Sequence, residues 1–358
     1  MRHSIAVSQA MGSCQTVFVG AQTRLPSQAI LRLGPHEIRM NSFAWALSKH
    51  ENHHDGEAMH ERFWSRSLAC LRCLLLAVAA AMACAAWAAP EAAATLREKY
   101  ASLGEQLQKN QFSRPLVLDS VETPERLTGD IYAIVEFPFG AVRAGLSSPD
   151  HWCDVMILHI NTKYCHAVVG PSATTLRVNI GKKTPEDLAH VARIVFNYDI
   201  GASTPDYFDI VLGAKDGPLG TSDYRIRLEA VALPNAKTFL HLTYSYSVSL
   251  ISKVAMQTYL GTIGRGKVGF TVVGRQANGQ PIYIEGVRGL VERNTMRYYL
   301  AINSFLEADR LAPAAQLEKR LQSWFTAVER YPRQLHEMDR TAYLGMKRAE
   351  NLRQQTLQ

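Results

Sequence analysis

The chain has 358 residues, of which 47% are hydrophobic and 20% are charged. This composition is typical of globular proteins with a sizeable core, and it excludes collagen-like repeats, coiled coils and wholesale disorder. Lys and Arg outnumber Asp and Glu by 39 to 32, but the excess is spread along the chain and no tract holds five or more like charges. We therefore expect no nucleic-acid partner.

A secretory signal peptide is predicted at residues 59–88. An arginine-containing leader precedes an uncharged, alanine-rich run over 73–89, in which small residues lead up to a cleavage site after Ala88. The run is too short and too rich in alanine to favour a permanent transmembrane helix, which needs about 20 apolar residues. We predict a periplasmic or secreted protein that is cleaved near Ala88. The alternatives are a membrane anchor through 73–89 and lipidation of Cys84. Residues 1–58 are predicted to be a non-native upstream extension, because a signal peptide normally begins at the initiator Met.

Cleavage would remove four of the six cysteines and leave Cys153 and Cys165. An even pair at this short separation, in an oxidising compartment, predicts a disulfide. The alternatives are two structural thiols, or a metal or nucleophile site that includes the neighbouring histidines His151, His159 and His166. The spacing matches no zinc pattern, which favours the disulfide.

The chain after the cleavage site begins with a predicted amphipathic helix over 91–110, where apolar residues recur at three-to-four spacing. Strands are predicted over 115–123 and 127–137. Pro138 then precedes a short helix, since proline is favoured in the first turn of a helix. A second short helix is predicted over 149–156.

Six strands are predicted next, because short apolar runs alternate with turn residues. They span 162–169, 174–181, 191–200, 207–214, 223–233 and 237–248. Alternating residues within these strands predict a sheet with one apolar and one polar face. The apolar face is expected to include Ile194, Phe196, Tyr198 and Ile200, together with Leu240, Leu242, Tyr244 and Tyr246. His241 and Phe239 are expected on the opposite face.

The remainder of the chain is predicted to be mostly helical. A helix over 250–264 precedes a hairpin whose turn contains Ala277-Asn278-Gly279. Further helices are predicted over 287–309, 313–331 and 338–355. The last of them is rich in Arg, Lys and Gln, so we expect it to be solvated and partly frayed.

Residues 130–152 read D-I-Y-A-I-V-E-F-P-F-G-A-V-R-A-G-L-S-S-P-D-H-W: a strand, a helix opened by a Pro-aromatic step, and a Trp that closes a helix pair. With six later strands and a late long helix, this order resembles the START-like helix-grip superfamily, also called SRPBCC. The resemblance implies an α+β fold in which a curved antiparallel sheet of about six to eight strands wraps around a long C-terminal helix, with extra N- and C-terminal helices. It places the START-like domain at 127–310, after an N-terminal helix and strand (89–126) and before a C-terminal helical extension (311–358). The chain is also similar to a group of uncharacterised exported proteobacterial proteins, which implies no activity.

Members of the superfamily bind lipids, sterols, polyketides or other hydrophobic compounds in a cavity between the sheet and the helix. The resemblance therefore implies a hydrophobic small molecule or lipid as the ligand. Aromatic side chains that supply apolar area, several with a hydroxyl group, are the candidate ligand-binding residues. They are Trp152, Tyr198, Tyr244, Tyr246 and Tyr298. The alternative for each is ordinary core packing.

No nucleophile elbow, nucleotide-binding loop or zinc motif is recognised, so we predict no catalytic residue, no cofactor and no metal. The basic G-R-G-K at 264–267 precedes a strand rather than a helix, so we expect no phosphate binding there. An enzyme of the cyclase or hydrolase type is one alternative function, and a cavity with His241 or His166 beside a carboxylate would favour it. A periplasmic interaction or assembly module is another. Residues 251–358 hold 16 basic and 9 acidic side chains, so peripheral membrane contact is a further alternative.

Overall fold

The computed structural model describes residues 90–249, 252–254, 256, 258 and 266–356. The predicted signal peptide and upstream extension lie outside these residues, as does most of the helix predicted over 250–264. The described positions 252–254, 256 and 258 of that segment are helical. Within the described ranges, no helix combines the length and the apolar character needed to cross a membrane.

Eight antiparallel strands form one sheet in the order β1-β2-β8-β7-β6-β5-β4-β3, so the second and the last strand are neighbours. The strands are β1 (Leu116–Glu122), β2 (Arg126–Val135), β3 (Thr162–Val169), β4 (Thr174–Ile180), β5 (Ala192–Ser203), β6 (Tyr207–Asp216), β7 (Thr221–Leu233) and β8 (Lys237–Val248). A separate hairpin joins β9 (Val272–Arg275) and β10 (Pro281–Tyr283). The predicted antiparallel sheet and hairpin are confirmed.

Helices precede the first strand, separate β2 from β3 and follow the last strand of the sheet. They are α1 (90–102), α2 (Gly104–Gln108), α3 (Phe139–Leu146), α4 (Pro149–Met156), α5 (Gly286–Ala308), α6 (Pro313–Val328), α7 (Pro332–Leu335) and α8 (Arg340–Thr356). The helices α5, α6 and α8 correspond to those predicted over 287–309, 313–331 and 338–355, whereas the short helix α7 is not predicted. The α+β class is therefore confirmed, with the extra N- and C-terminal helices expected from the sequence.

The inner face is the face of the sheet that packs against α5, and it carries the main hydrophobic core. Strand alternation produces this face: Ile131 pairs with Leu242 across β2 and β8, and both side chains are buried. The next pair along the strands, Tyr132 and His241, belongs to the opposite, outer face. The predicted division of β8 between two faces is thus present.

A glycine lets α5 approach the sheet closely. A Cβ atom at Gly129 of β2 would overlap the Thr295 Oγ1 atom of α5. Glycine inside a strand often marks a place where another element comes near. At this position, a side chain on the strand would push the helix away from the inner face.

The outer face is partly covered by α1 and is not simply a polar surface. Leu96 and Leu103 belong to a second hydrophobic cluster, which also contains Tyr207 and Phe239 of the outer face. The Tyr100 and Phe239 rings lie 5.1 Å apart between their centroids. The leucines of the predicted amphipathic helix therefore bury a patch of the face that alternation alone marks as polar.

Ile200 lies on the apolar face of β5, as expected, because it pairs with the buried Ile210 of β6 on the inner face. Its side chain is nevertheless 46% exposed, whereas the preceding alternate residues Ile194, Phe196 and Tyr198 are buried. The pairing of β5 with β6 shifts register directly after Ile200. Alternation therefore gives the correct face of Ile200 but does not predict that this face is exposed at the irregular part of the strand.

The expectation that the last helix is solvated and frayed is wrong. Lys347 of α8 is fully buried, and its Nζ atom donates to the carbonyl groups of His159 and Thr162 at 2.7 and 2.8 Å. Glu350, also buried, pairs with Lys347 at 2.8 Å and with Lys163 of β3 at 3.0 Å. Charged side chains tolerate burial when they are paired and hydrogen-bonded in this way. Composition does not reveal such pairing, because Lys163 is distant in sequence.

The predicted disulfide is confirmed. Cys153 of α4 is bonded to Cys165 of β3, with the two Cα atoms 5.1 Å apart. The bond excludes the alternatives in which these sulfur atoms are free thiols, metal ligands or a nucleophile. It joins the helix pair α3–α4 to the edge strand of the sheet.

Candidate functional site

Four tyrosines gather on the inner face, between β7, β8 and α5. Tyr244 and Tyr246 of β8 lie 5.6 Å apart between ring centroids, and Tyr298 of α5 lies 5.3 Å from Tyr244. Tyr224 of β7 stacks on Tyr246 at 5.1 Å. We call these four residues the tyrosine cluster. The structure therefore brings together three of the five predicted ligand-binding residues.

Tyr224 was not among the predicted ligand-binding residues, although a signal for it was available. It alternates with Ile226 and Leu228 along β7, so it belongs to the apolar face. Ile226 pairs directly with Tyr244 of β8, and this register brings Tyr224 beside the tyrosines of that strand. Strand pairing is not readable from one sequence, which is why the fourth ring was missed.

Tyr198 lies elsewhere on the inner face, on β5, where it pairs with Leu212 of β6. Its ring is buried and its hydroxyl group has no hydrogen-bond partner. Burial raises the pKa of Tyr198 above its usual value, so the hydroxyl stays protonated at neutral pH. A buried hydroxyl without a partner costs about 1–3 kcal/mol relative to a satisfied one. This atom is an available hydrogen-bond donor and acceptor inside the core.

Trp152 occupies a different environment. It is almost fully buried in α4, and its indole N–H donates to the Leu146 carbonyl at the end of α3 at 2.8 Å. Both the apolar area and the polar atom of the side chain are therefore used within the helix pair. Its contacts are those of a core residue that fastens α4 to α3.

His159 borders the tyrosine cluster. Its ring lies 4.9 Å from that of Tyr298, and its Nδ1 atom accepts the Asn161 N–H at 3.2 Å, which leaves the ring hydrogen of the neutral form on Nε2. The Nε2 atom is buried without a hydrogen-bond partner, although the Asn294 side chain lies nearby. Burial holds the pKa of His159 well below its usual value, so the imidazole is neutral at pH 7. Positive charges strengthen this effect, and they belong to Arg297, Lys347 and Lys183.

Four cavities lined by described residues have volumes of about 280 to 530 Å³. None of these four is lined by the predicted residues Trp152, Tyr198, Tyr244, Tyr246 or Tyr298. The largest of them, about 530 Å³, lies between α1 and the outer face of the sheet. We call it the outer cavity. His241, Glu229, Arg227 and Tyr132 contribute to its wall.

His241 bridges two carboxylates in the wall of the outer cavity. Its Nδ1 atom lies 3.1 Å from Glu229 and its Nε2 atom 2.8 Å from Asp130, while the Tyr132 ring stacks on the imidazole at 4.2 Å. Burial alone would lower the pKa of His241, but the hydrogen bonds and charges of Asp130 and Glu229 outweigh it and raise the pKa. The imidazolium form is thereby favoured.

The outer cavity has a histidine beside a carboxylate, which is the arrangement expected to favour an enzyme. Both ring nitrogens of His241, however, are occupied by carboxylates, so neither is available to accept a proton from a substrate. Arg227 extends the network by pairing with Glu229 at 3.1 Å and Asp209 at 3.0 Å. Together these contacts form an ionic network on the outer face. Among the described residues, no group of three or more His, Cys, Asp or Glu side chains is arranged to hold a metal ion.

Comparison with known proteins gives limited similarity. No protein-family model matches the chain, and no curated protein matches it. Among solved structures, a conserved protein from Geobacillus kaustophilus matches with a TM-score of 0.31 and 12% identity, covering 51% of this chain and 95% of its own. The Zhui aromatase/cyclase from a Streptomyces species matches with a TM-score of 0.29 and 12% identity, covering 57% and 96%. Human StAR-related lipid transfer protein 5 matches with a TM-score of 0.27 and 10% identity, covering 48% and 90%.

The fold is assigned from the structure itself: a strand, two short helices, six antiparallel strands and a long helix follow one another, and the last strand pairs with the strand before the helix pair. This is the element order expected from the resemblance to START-like proteins. The α+β class therefore rests on element order and strand pairing.

Proposed function

We propose that this chain is an exported protein that binds a hydrophobic small molecule or lipid between α5 and the inner face of the sheet. The observation that carries the proposal is the buried hydroxyl group of Tyr198, which has no hydrogen-bond partner. Buried polar groups are nearly always satisfied, and an exception calls for a physical reason. A ligand that accepts or donates a hydrogen bond at this position supplies one.

The tyrosine cluster indicates the chemistry of the ligand. Four aromatic rings offer flat apolar surface, and their hydroxyl groups offer a few polar contacts, which is the usual mixture in small-molecule sites. Burial, with smaller contributions from neighbouring groups, raises the pKa of Tyr244 well above its usual value, so its hydroxyl group stays protonated at neutral pH. A matching ligand is mainly apolar and carries one or two uncharged oxygen atoms, such as a carbonyl or hydroxyl group.

Export is supported by two independent observations. The leader, apolar run and small-residue site at 59–88 have the composition of a signal peptide. The bond between Cys153 and Cys165 fits the same location, because disulfides persist in oxidising compartments and are rare in the cytosol. Fractionation of host cells with N-terminal sequencing tests this part. A periplasmic chain that begins near Pro90 agrees with it, whereas a membrane-bound chain that retains 73–89 contradicts cleavage.

Native mass spectrometry of protein purified from its own host tests ligand binding. We expect an adduct that organic extraction removes and that lipid or small-molecule analysis identifies. Tyr198→Phe removes one hydroxyl group and is expected to weaken retention of the ligand by about two- to tenfold, the effect of one hydrogen bond. Tyr207→Phe is the matched control, because that hydroxyl group lies on the outer face and donates to Glu229 at 2.8 Å.

Two results would contradict the proposal. One is the absence of any adduct together with no uptake of added lipids or aromatic compounds. The other is crosslinking to a fixed protein partner that Tyr244→Ala leaves unchanged, which would favour an interaction module instead.

A further inference from the structure

Three cationic side chains converge on a single carboxylate at the end of the molecule where α5, α7 and the loop after β4 meet. The Oε2 atom of Glu337 lies 2.7 Å from Lys183 Nζ and 3.6 Å from Lys267 Nζ. Its Oε1 atom lies 2.7 Å from Arg297 Nη2. We call Lys183, Lys267, Arg297 and Glu337 the Glu337 cluster. Its four members come from four separate parts of the chain, so no local sequence pattern predicts it.

The cluster has a buried base and an accessible side. The side chains of Arg297 and Glu337 are 3% and 8% exposed, whereas those of Lys183 and Lys267 are 23% and 24% exposed. The two lysine nitrogens approach the same oxygen of Glu337, and Lys267 Nζ also donates to the His336 carbonyl. One small anion arriving from solvent could therefore contact both ammonium groups.

Positive charge exceeds negative charge in this cluster. Three cations share one carboxylate, and within the described residues neither Lys183 nor Lys267 forms an ion pair with any other acidic side chain.

The surroundings of Lys183 and Lys267 lower the pKa of both side chains. Burial lowers the pKa of both Lys183 and Lys267; Glu337 opposes that effect, and the neighbouring positive charges add to it. Ammonium groups held close together in a partly buried place repel one another, and a bound anion relieves that repulsion.

We propose that the Glu337 cluster binds a phosphate group through Lys183 and Lys267. Two partly exposed ammonium groups that approach the same point suit an oxyanion with several oxygen atoms, and charge-assisted N–H···O bonds are the strong kind. Lys267 belongs to the G-R-G-K segment, for which the sequence alone predicts no phosphate binding. The difference arises because the partners of Lys267 come from distant segments and not from a neighbouring helix. This site is independent of the hydrophobic ligand proposed above.

Isothermal titration of inorganic phosphate into protein purified from its host, against chloride at constant ionic strength, tests the proposal. Lys183→Gln and Lys267→Gln are each expected to weaken phosphate binding by about tenfold, as the loss of a charge-assisted contact predicts. Lys182→Gln is the matched control, because this neighbour is 79% exposed and pairs with Glu186. We expect the control to bind like the wild type. Circular dichroism verifies that each variant is folded.

Glu337→Gln is expected to change the affinity for phosphate in the opposite direction to the lysine variants. It removes the anion that competes for the same cations, so phosphate binding is expected to become several-fold tighter. If this variant does not fold, the two lysine variants still decide, because their side chains are partly exposed. A cluster with only a structural role would not produce tighter phosphate binding.

Vesicles distinguish the two sources of the phosphate group. Binding to phosphatidic acid in phosphatidylcholine vesicles, lost in both lysine variants but not in Lys182→Gln, would assign a lipid headgroup. Binding of inorganic phosphate without vesicle binding would assign a free phosphate. Phosphate that binds no better than chloride, or that is weakened equally by Lys182→Gln, would overturn the proposal. Neither result affects native mass spectrometry of the hydrophobic ligand, so the two proposals fail separately.

Discussion

Replacing Tyr198 by phenylalanine distinguishes a ligand-binding interior from an ordinary core. The hydroxyl group is buried and unpartnered, so the ligand-free protein bears a desolvation cost of about 1–3 kcal/mol that phenylalanine would not bear. Loss of one oxygen atom leaves a small void, which offsets part of this gain. We expect Tyr198→Phe to raise the free energy of unfolding of the ligand-free protein by about 1 kcal/mol.

Guanidinium unfolding of protein stripped of ligand, with its disulfide intact, measures this change. Tyr207→Phe is expected to have the opposite sign and to lower stability by about 1.5–3 kcal/mol, because its hydroxyl group donates to the carboxylate of Glu229. The same chemical change is thereby compared at a satisfied and an unsatisfied position. If Tyr198→Phe destabilises the protein as much as Tyr207→Phe does, the Tyr198 hydroxyl has a partner and the reasoning fails.

Three further predictions concern stability and can be measured by chemical denaturation. Gly129→Ala is expected to cost about 1–3 kcal/mol, because its Cβ atom would overlap Thr295 Oγ1; the double variant with Thr295→Ala should recover most of this, and simple additivity would refute the contact. Lys347→Met is expected to cost about 3 kcal/mol, since it removes one partner of the buried Glu350, and an unchanged midpoint would contradict this. The pKa of His241 is raised by folding, so its contribution to the free energy of unfolding is complete below about pH 6.5 and is lost as pH rises through the raised pKa. His241→Gln should remove this pH dependence of stability. A variant with the same dependence as the wild type would show that His241 is not its source.

Local patterns predicted most of the secondary structure, because alternation and turn residues act over a few neighbouring positions. The bounds of β8 and α4 agree with the predicted ranges 237–248 and 149–156. Alternation also gives the correct face of Ile200 but not its exposure, because it shows which face a side chain belongs to and not what covers that face.

The site was less predictable because its parts meet only through long-range pairing. Tyr244 and Tyr298 could each be chosen as aromatic residues on buried faces, but the contacts of Tyr244 with Tyr224 and Tyr298 depend on strand register and helix placement. The outer cavity requires α1 to lie across strands more than 100 residues later, such as the one that holds His241. The misjudged α8 has the same origin: Lys347 is buried because its partners come from β3 and the residues before it.

Buried polar groups have hydrogen-bond partners on the outer face of the sheet, whereas some on the inner side have none. This difference favours ligand binding on the inner face. On the outer face, His241 is matched by Asp130 and Glu229, so its charges and hydrogen bonds are already satisfied by the protein. On the inner side, the Tyr198 hydroxyl and the His159 Nε2 atom are buried without partners. A ligand in the outer cavity would meet a His241 whose two ring nitrogens already have carboxylate partners, whereas a ligand inside would gain hydrogen bonds that the protein does not make for itself. Unsatisfied groups in an otherwise apolar interior are therefore a stronger indication of a binding site than the satisfied ionic network of the outer cavity.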